Sequence, residues 1–580
     1  MKRNLFLTRL REQILLLDSP EGRLIQSNWL KTGQLPEVLN LEKPDLIFNI
    51  HRESIKAGAD IIGANTSAAN RYQLARFRLE KKIRLINLQG VEIARKASNG
   101  RTLIAAEIGP IGEYLEPVGT LTFRQALDIF REQVVALCEG KPDLMLVKNI
   151  SELREFRAAL IACREIFHGP LIARMLFNGD GRTKTGTDVI TSLVIARALG
   201  VDVGGAACYQ PDNGLNLVKT MLTANLLPLS IAFESAEAGV PATNEKPFSP
   251  EQMGELAVQF VEAGVSLIGG GSGMTAEDMK EIALRINHRK PSRHLARPRA
   301  SLATRCRAIF ITPASPTIFI GDRINTRRCP EILLAIKKNQ FEPILQAARK
   351  QVKLGTQILE INLTGQGINE ADAVAKCISV IQHKTDVVFC LNSANPEVLK
   401  TGLETIAGKA FINAVTGGEK RLCAILPLAA KYGAATIVSP ACEKDVQKSF
   451  KKWAKQIARI LSVAHDFGIE KTDICIDCTG DFHQANPVQL KEVLKRLVYV
   501  RQRLRLKTTV GINQILPERR SNSLLVSTFL TMALSLGLDL PLLNPYQAVN
   551  RQTIAAFNLL MKQNQRNRSA LFDTTIANSG

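Results

Sequence analysis

The feature that most constrains the fold is a rhythm of sixteen short apolar segments, each followed by a stretch with helical periodicity. Most of these segments, such as ADIIGA and ATIVS, are nearly continuous apolar runs rather than alternations of apolar and polar residues. Continuous apolar strands indicate burial on both faces, and the helices between them provide the crossovers of a parallel sheet. Each half of the chain contains eight such units, the number that closes a (β/α)8 barrel. We therefore predict an α/β protein made of two tandem (β/α)8 TIM barrels.

The predicted strands of the first half are 14–18, 59–64, 103–108, 143–148, 171–176, 201–206, 228–233 and 265–269. Those of the second half are 317–321, 357–363, 386–392, 409–414, 435–439, 473–477, 507–512 and 538–543. Each half has about 290 residues, which is close to the usual size of this barrel. The boundaries that we expect are 1–287 for the front barrel, 288–316 for a linker and 317–580 for the second barrel.

The expected linker is the most basic part of a basic chain. The sequence has 75 Lys and Arg against 54 Asp and Glu, a formal net charge of +21. No acidic residue occurs between Ile282 and Gly321, whereas eight Lys and Arg and four prolines do. Few aromatic residues are available there to stack on bases, so we do not expect a nucleic-acid site. We interpret the segment as an interdomain linker that could face an acidic partner surface.

Cysteine usage and hydropathy suggest a cytoplasmic protein. Eleven cysteines, an odd number in a long chain, fit a reducing compartment better than a disulfide framework. No run of about 18 uncharged apolar residues is present, so we expect no membrane span. Charged residues interrupt the apolar N-terminal stretch, which makes it a poor signal peptide. Cys475 and Cys478 have CxxC spacing but no second pair nearby, and we interpret them as two thiols at the end of a strand.

Polar residues gather where the predicted strands end, which is where barrels of this type carry their chemistry. In the first half they are Asp18, Asn65, Lys148, Cys208, Glu234 and the run 269–273. In the second half they are Asp322, Asn325, Glu360, Asn362, Asn392, Asn413, Asp477 and Asn513. The second set consists of amides and carboxylates with almost no histidine. It suits a polar heterocycle rich in donors and acceptors, and it does not suit hydrolysis by a His-activated nucleophile.

Several segments of the first half resemble homocysteine S-methyltransferases. They include ILLLDSPEGRLIQ, AAEIGPIGEYLEP, NGDGRTKTGTD and VEAGVSLIGGGSGMTAEDMKEIA. The resemblance implies a barrel in which zinc, held by three cysteines, lowers the pKa of the homocysteine thiol so that a thiolate attacks the methyl group. It also implies that Asp18, Asn65 and Thr66 bind homocysteine.

The residues that would match the zinc ligands of that family are incomplete. Cys208, in GAAC, matches the first cysteine position, but Gly271 and Ser272 occupy the other two. Zinc normally takes at least three protein ligands, and a neutral serine hydroxyl is a poor one, so we predict that the metal site is lost. Lys148 occupies the position of an acid expected near the substrate amino group, and we expect it to repel that ammonium.

The second half is similar to pterin-binding methyltransferases in the segments FIGDRIN, EINLTG, LNSANPEVLKTGL, FINAVTGGEKR and STFLTMALSLGLD. The resemblance implies methyltetrahydrofolate as the substrate. The pterin-binding residues that it implies are Asp322, Asn325, Glu360, Asn362, Asn392 and Asn413. Asp477 matches an acid beside the pterin, and Asn513 matches the residue that bonds the nitrogen carrying the methyl group, with Gln514 as a competing assignment. Polarising that nitrogen makes the pterin a better leaving group.

Both barrels in this order resemble the first two modules of the cobalamin-dependent methionine synthase family. The DxHxxG signature of a cobalamin-binding module does not occur, so we expect cobalamin on a separate corrinoid protein. Three hypotheses stay open. In the first, both barrels act in methyl transfer from methyltetrahydrofolate to homocysteine or another thiol. In the second, only the second barrel is active and the first serves as a scaffold. In the third, the chain is a non-catalytic binding platform.

Overall fold

The protein is seen here as a computed structural model with two closed barrels, each of eight parallel strands in sequential order. The prediction of two tandem (β/α)8 barrels is confirmed. By internal contacts the chain divides into one unit of residues 1–298 and 305–308 and another of residues 299–304 and 309–580. The structure describes residues 1–20, 24, 34–209, 211–234, 248–287, 289–291, 299–416, 418–440, 449–480, 482, 486–517 and 522–561.

The front barrel comprises eight strands that close when the last pairs with the first, Leu15 lying opposite Leu267. The strands are β1 (Leu15–Asp18), β2 (Ile61–Gly63), β3 (Leu103–Ile108), β4 (Leu144–Ile150), β5 (Leu171–Phe177), β6 (Val203–Cys208), β7 (Leu229–Phe233) and β8 (Val265–Gly269). The α-helices are Arg3–Glu12, Leu39–Glu42, Pro44–Lys56, Arg71–Ala75, Ile83–Ser98, Phe123–Glu139, Leu153–Ile166, Val189–Ala198, Pro211–Ala224, Pro250–Glu262 and Ala276–Ile286.

The amino-terminal helix closes the floor of this barrel, at the end where the strands begin. Phe6 and Leu10 lie one helical turn apart on the same face, and they pack in one apolar cluster with Leu15, Leu144 and other residues of the strands. Burying such side chains contributes about 1.5–3 kcal/mol each. Because this end is apolar, the polar side chains of the barrel collect at the other end, where the strands finish. We call that end of β1–β8 the front mouth.

Part of the segment expected to be a linker forms a small sheet of two strands, β9 (Ser301–Ala303) and β10 (Ala308–Phe310). Leu302, Ile309 and Ile311 pack against the first residues of the second barrel's strands, among them Ile358 and Phe411. Ile309 and Ile311 are two residues apart, the period that places side chains on one face of an extended chain. The segment therefore provides an apolar floor for the second barrel. The basic residues Arg293 and Arg297 lie outside the described residues.

The second barrel has the same order of elements. Its strands are β11 (Ile320–Asn325), β12 (Ile358–Asn362), β13 (Val388–Asn392), β14 (Phe411–Thr416), β15 (Ala435–Ser439), β16 (Ile474–Asp477), β17 (Lys507–Gly511) and β18 (Leu540–Leu543). Its α-helices are Pro330–Lys337, Glu342–Lys353, Glu370–Lys384, Pro396–Thr405, Glu419–Tyr432, Phe450–Asp466, Pro487–Tyr499, Ile512–Ile515, Ser523–Ser535 and Ala548–Met561. We call the end where β11–β18 finish the second mouth.

The first strand of this barrel lies later in the chain than the predicted range 317–321, which is therefore wrong. The apolar run ends at Gly321, but the strand continues to Asn325 because its register against β12 shifts by one residue between Gly321 and Ile324. Such a bulge re-aims the side chains beside it and is common next to functional sites. Asp322 lies at this irregularity. Separately, no helix among the described residues is long and apolar enough to cross a bilayer.

Candidate functional site

A buried ion pair occupies the front mouth. The Nζ atom of Lys148 on β4 lies 2.9 Å from Oε2 of Glu107 on β3, and both side chains are almost completely buried. Ser19, just after β1, donates its hydroxyl to Glu107 Oε2 at 3.0 Å and accepts from Lys148 Nζ at 3.0 Å. Gly63 leaves room for this group, since a Cβ there would lie 2.0 Å from Glu107 Oε1. The positive charge of Lys148 is thus matched by a carboxylate within the barrel, and its expected repulsion of a substrate ammonium stays a prediction.

The three residues expected to bind homocysteine are all buried near this pair, but they hold parts of the protein together. Asp18 accepts a hydrogen bond from the hydroxyl of Ser54. Asn65 donates its amide to the carbonyl of Pro36 at 2.8 Å. Thr66 donates its hydroxyl to the carbonyl of Glu107 at 2.8 Å. Asn65 and Thr66 therefore fix the loop after β2.

Cys208 is the one cysteine among the three positions at which the first resemblance implies zinc ligands. The sulfur is buried at the end of β6, 3.9 Å from the carbonyl oxygen of Ala232. Ser272 directs its hydroxyl to Glu234 Oε2 at 2.6 Å, and its N–H reaches the same oxygen at 3.0 Å. A Cβ on Gly271 would lie 2.1 Å from the carbonyl oxygen of Phe233, so this backbone has no space for a cysteine there. Among the described residues, no three or more His, Cys, Asp or Glu are arranged to hold a metal ion.

Arg174 is a residue of the front mouth that the sequence analysis missed. It lies within β5, is fully buried, and donates to the carbonyl oxygens of Gly269 and Gly270. Burial lowers the pKa of its guanidinium to about 10, against the opposing effect of the nearby Glu234 and Glu107 carboxylates. A signal was present, because Arg174 and Glu107 each interrupt an otherwise apolar strand, LIARML and LIAAEI. Such charges inside a barrel need partners.

One carboxylate and two amides converge in the second mouth. Glu360 on β12 is buried, and its Oε1 atom accepts hydrogen bonds from Nδ2 of Asn392 at 2.8 Å and Nδ2 of Asn413 at 3.1 Å. Asn392 and Asn413 lie opposite each other on β13 and β14. Burial raises the pKa of Glu360, the Asn392 hydrogen bond lowers it, and the charge of Asp322 raises it further. Three of the predicted pterin-binding residues therefore form one cluster.

Asp322 joins a second cluster in the same mouth. Its Oδ2 atom accepts from Nδ2 of Asn513 at 3.2 Å and from the guanidinium of Arg328. Its Oδ1 atom is buried and has no hydrogen-bond donor among the described residues. Asn513 lies in the short helix after β17, whereas its neighbour Gln514 donates to the carbonyl of Gly480 at 3.2 Å. Of these two competing residues, Asn513 is the one that contacts Asp322.

The remaining predicted residues of the second mouth shape its loops. Asn325 accepts hydrogen bonds from the backbone N–H groups of Arg327 and Arg328 at 3.0 and 3.2 Å. The carbonyl oxygen of Asn362 accepts from the backbone N–H of Thr326 at 3.0 Å. These contacts fix the turn after β11 against the end of β12.

Asp477 stands apart at the end of β16. It accepts a hydrogen bond from the N–H of Thr479 at 2.8 Å. Burial raises the pKa of Asp477, and hydrogen bonds from Thr479 and Ser439 lower it. Thr479 in turn accepts from the N–H of Gly511 at 2.7 Å, which ties the loop after β16 to the end of β17. Asp477 is thereby held beside the strand that precedes Asn513.

Comparison with known families addresses each barrel in turn. Residues 15–286 match the family model of homocysteine S-methyltransferase, and residues 334–516 match that of pterin binding enzymes. The chain carries these two domains in tandem. The first match includes Cys208 and Ser272, and the second runs from the helix Pro330–Lys337 to just beyond Asn513.

Curated relatives combine the same domains over most of the chain. Methionine synthase of Mycobacterium leprae is 25% identical over 544 residues, which cover 87% of this chain and 44% of that protein. Methionine synthase of Mycobacterium tuberculosis is 24% identical over 465 residues, which cover 76% of this chain and 39% of that protein. The chain thus spans less than half the length of these relatives. The predicted resemblance to the first two modules of such enzymes is confirmed.

Among solved structures, the metallated form of the homocysteine methyltransferase MmuM from Escherichia coli aligns with 47% of this chain and 97% of its own. The two are 20% identical, with a TM-score of 0.41.

Proposed function

We propose that the second barrel, residues 317–580, binds the pterin ring of methyltetrahydrofolate and transfers its methyl group to a corrinoid carried by a separate protein. The observation that carries this proposal is the convergence of Asp322, Glu360, Asn392, Asn413 and Asn513 at the second mouth. A pterin offers ring N–H and amino groups, and these residues supply carboxylate and amide oxygens to accept from them. The buried Asp322 Oδ1 atom suits such a ligand, because a donor there would satisfy an otherwise unmatched acceptor.

Asn513 is the residue to which we assign the chemical step. Its Nδ2 atom is engaged by Asp322, which sets the orientation of the amide in the mouth. Methyl transfer leaves negative charge on the pterin nitrogen that loses the methyl group, and an N–H donor beside that nitrogen stabilises the charge. The amide nitrogen of Asn513 has two hydrogens, so one can bond Asp322 and the other can serve as this donor. Arg328 and Asn513 both donate to Asp322 Oδ2. This carboxylate therefore connects the Arg328 guanidinium to the amide that we place beside the reacting nitrogen. Asp477 supports the pterin as a further acceptor.

For the front barrel, residues 1–287, we propose that zinc-dependent activation of homocysteine is lost and that the domain serves as a scaffold. Cys208 has no second thiol at positions 271 and 272, and the backbone excludes a side chain at Gly271. Lys148, at the position where the resemblance implies an acid near the substrate ammonium, is paired with Glu107. The basic segment 288–316 then joins the two domains. Methyl transfer to homocysteine or another thiol by both barrels is the wider hypothesis, which the match to methionine synthases over most of this chain favours.

Three measurements on the full chain test the proposal. Isothermal titration with methyltetrahydrofolate should show binding to one site, and metal analysis should find zinc well below one equivalent. A single tightly bound zinc would instead support an active front barrel. Methyl transfer to free cob(I)alamin separates an enzyme from a binding platform, since a platform would bind the folate without turning it over. Absence of folate binding would refute the proposed function altogether.

A further inference from the structure

Two helices of the second barrel carry a group of exposed lysines on their outer faces. The helices are Phe450–Asp466, which follows β15, and Pro487–Tyr499, which follows β16. Among the described residues, no carboxylate forms an ion pair with any lysine of this group. We call the surface the basic flank, and its residues are Lys451, Lys452, Lys455, Lys491 and Lys495.

A contact between the two helices joins these lysines into one surface. The Nζ atom of Lys495 lies 4.3 Å from the centroid of the Phe450 ring. Phe450 directly precedes Lys451 and Lys452 in the chain. Lys491 is four residues before Lys495, which places both on the same face of their helix. The charges of the two helices therefore add at one place on the barrel.

The acidic residues nearby are engaged with arginines. Glu419 pairs with Arg459 at 3.0 Å, and Glu492 faces Arg496 at 3.6 Å. Arg496 is itself buried, with its guanidinium 5.0 Å from the centroid of the Trp453 ring. Neither helix has an acidic residue in its first turn, where a negative charge would favour the helix dipole. Lysines near that end oppose the dipole, so helix stability does not account for the basic flank.

The basic flank borders the second mouth. In a (β/α)8 barrel each helix begins on the side where the preceding strand ends. Lys451 and Lys452 are in the first turn of their helix, so they lie on the side of the barrel where a methyl acceptor must enter. Charge of one sign beside a binding site speeds the approach of a partner with the opposite charge.

We propose that the basic flank docks an acidic face of the corrinoid protein that accepts the methyl group. The proposal rests on the proposed function, and it adds the charge of the partner and the side from which it approaches, that of β15 and β16. Val488 fits a protein partner, because it is an apolar side chain that is 75% exposed three residues before Lys491. An interface of this kind combines apolar contacts with a charged periphery.

Nucleic acid is a second polyanion that a basic surface attracts, but the aromatic residues here do not favour it. Single strands bind by stacking bases on accessible rings. Trp453 is buried, and the Lys495 ammonium lies against the Phe450 ring. The flank thus offers charge without a stacking platform.

The experiment measures methyl transfer from methyltetrahydrofolate by the full chain to two acceptors. One is free cob(I)alamin, and the other is cob(I)alamin held by a corrinoid protein that has the DxHxxG signature and a negative net charge. The triple variant Lys451→Glu, Lys455→Glu and Lys495→Glu should lower the second-order rate constant with the protein-bound acceptor by about tenfold or more. Its rate with free cob(I)alamin should stay within about twofold of the wild type, which also shows that the variant is folded. Raising the salt from about 50 to 200 mM should slow the wild type with the protein-bound acceptor and leave the variant nearly unaffected.

The matched control reverses three exposed lysines on the helices that follow β11, on the opposite side of the same barrel. The variant Lys337→Glu, Lys338→Glu and Lys353→Glu makes the same change in net charge. It should keep most of the rate with the protein-bound acceptor, because the effect is expected to depend on position rather than on total charge.

The outcomes separate this inference from the function on which it rests. If the wild type methylates free cob(I)alamin, and the flank variant loses no more rate with the protein-bound acceptor than the control does, the docking role is refuted while the function stands. If the wild type neither binds methyltetrahydrofolate nor methylates free cob(I)alamin, the proposed function fails. Fluorescence anisotropy with a DNA duplex of about 20 base pairs adds a third arm. Duplex binding that only the flank variant abolishes, with transfer to the corrinoid protein unchanged, would assign the surface to nucleic acid and overturn the inference.

Discussion

One buried carboxylate in each mouth, Glu107 in the front mouth and Glu360 in the second, has a different kind of partner. In the front mouth, Glu107 faces the ammonium of Lys148, and the Arg174 guanidinium lies against backbone carbonyls. In the second mouth, Glu360 is matched by two amides instead of a cation. A cation neutralises a carboxylate, whereas an amide that donates to a carboxylate keeps an oxygen that can accept from a ligand.

The largest effect should follow from breaking the front pair. Lys148→Met removes the cation facing the buried Glu107 carboxylate, and removal of one partner from such a pair destabilises by about 3–5 kcal/mol. Urea unfolding of the full chain should show this loss in the front unit, with folate binding retained. The double variant Lys148→Met with Glu107→Gln should recover most of the stability. A loss below about 1 kcal/mol in the single variant would contradict the importance assigned to the pair.

The next largest effect tests the chemistry of the second mouth. Asn513→Ala should lower the rate of methyl transfer by about 10²–10³-fold, the usual loss when a group that stabilises developing charge is removed. Single-turnover transfer to cob(I)alamin would measure it. Gln514→Ala is the matched control, because Gln514 bonds the Gly480 carbonyl and should leave the rate nearly unchanged. The reverse pattern would move the assignment to Gln514.

Rebuilding the metal site should fail for a steric reason. Gly271→Cys combined with Ser272→Cys restores two thiols, but the new Cβ at position 271 overlaps the Phe233 carbonyl. We expect a loss of about 1–3 kcal/mol in stability, as for other overpacked positions, and no gain of zinc. Ser272→Cys alone should be tolerated better. Stoichiometric zinc in the double variant would mean that the front mouth is still able to form its site.

The smallest effect, expressed per pH unit, concerns a front-barrel carboxyl that is held by a backbone donor. Glu155 accepts from the N–H of Ile111 at 2.6 Å, and burial raises its pKa to about 8. The folded state therefore binds a proton more tightly than the unfolded state, so stability is highest below the unfolded pKa and falls as pH rises towards about 8. The free energy of unfolding, measured by denaturant titration from pH 5 to pH 8, should fall with pH less steeply in Glu155→Gln than in the wild type. The two slopes should differ by about 1 kcal/mol per pH unit. Equal slopes would show that Glu155 is ionised throughout this range.

Much of the architecture could be predicted because each buried strand corresponds to a local run of apolar residues in the sequence. Strand ends such as Asp18, Cys208 and Asp477 fall where those runs finish. The predicted range of β11 was wrong because the apolar run ends at Gly321, whereas the strand continues through a bulge that includes the charged Asp322. The floor formed by β9 and β10 was missed for another reason, because short alternating segments resemble a linker until something packs against them.

The sequence by itself determined the two barrels, the polar strand ends and the absence of cysteines at positions 271 and 272, since each depends on residue identity along a local stretch. Only the tertiary structure decided which polar groups meet. Lys148 and Glu107 lie 41 positions apart, and Asp322 and Asn513 lie 191 apart. Whether a buried charge meets a cation or an amide depends on which strands the closed barrel makes neighbours and on where their side chains converge.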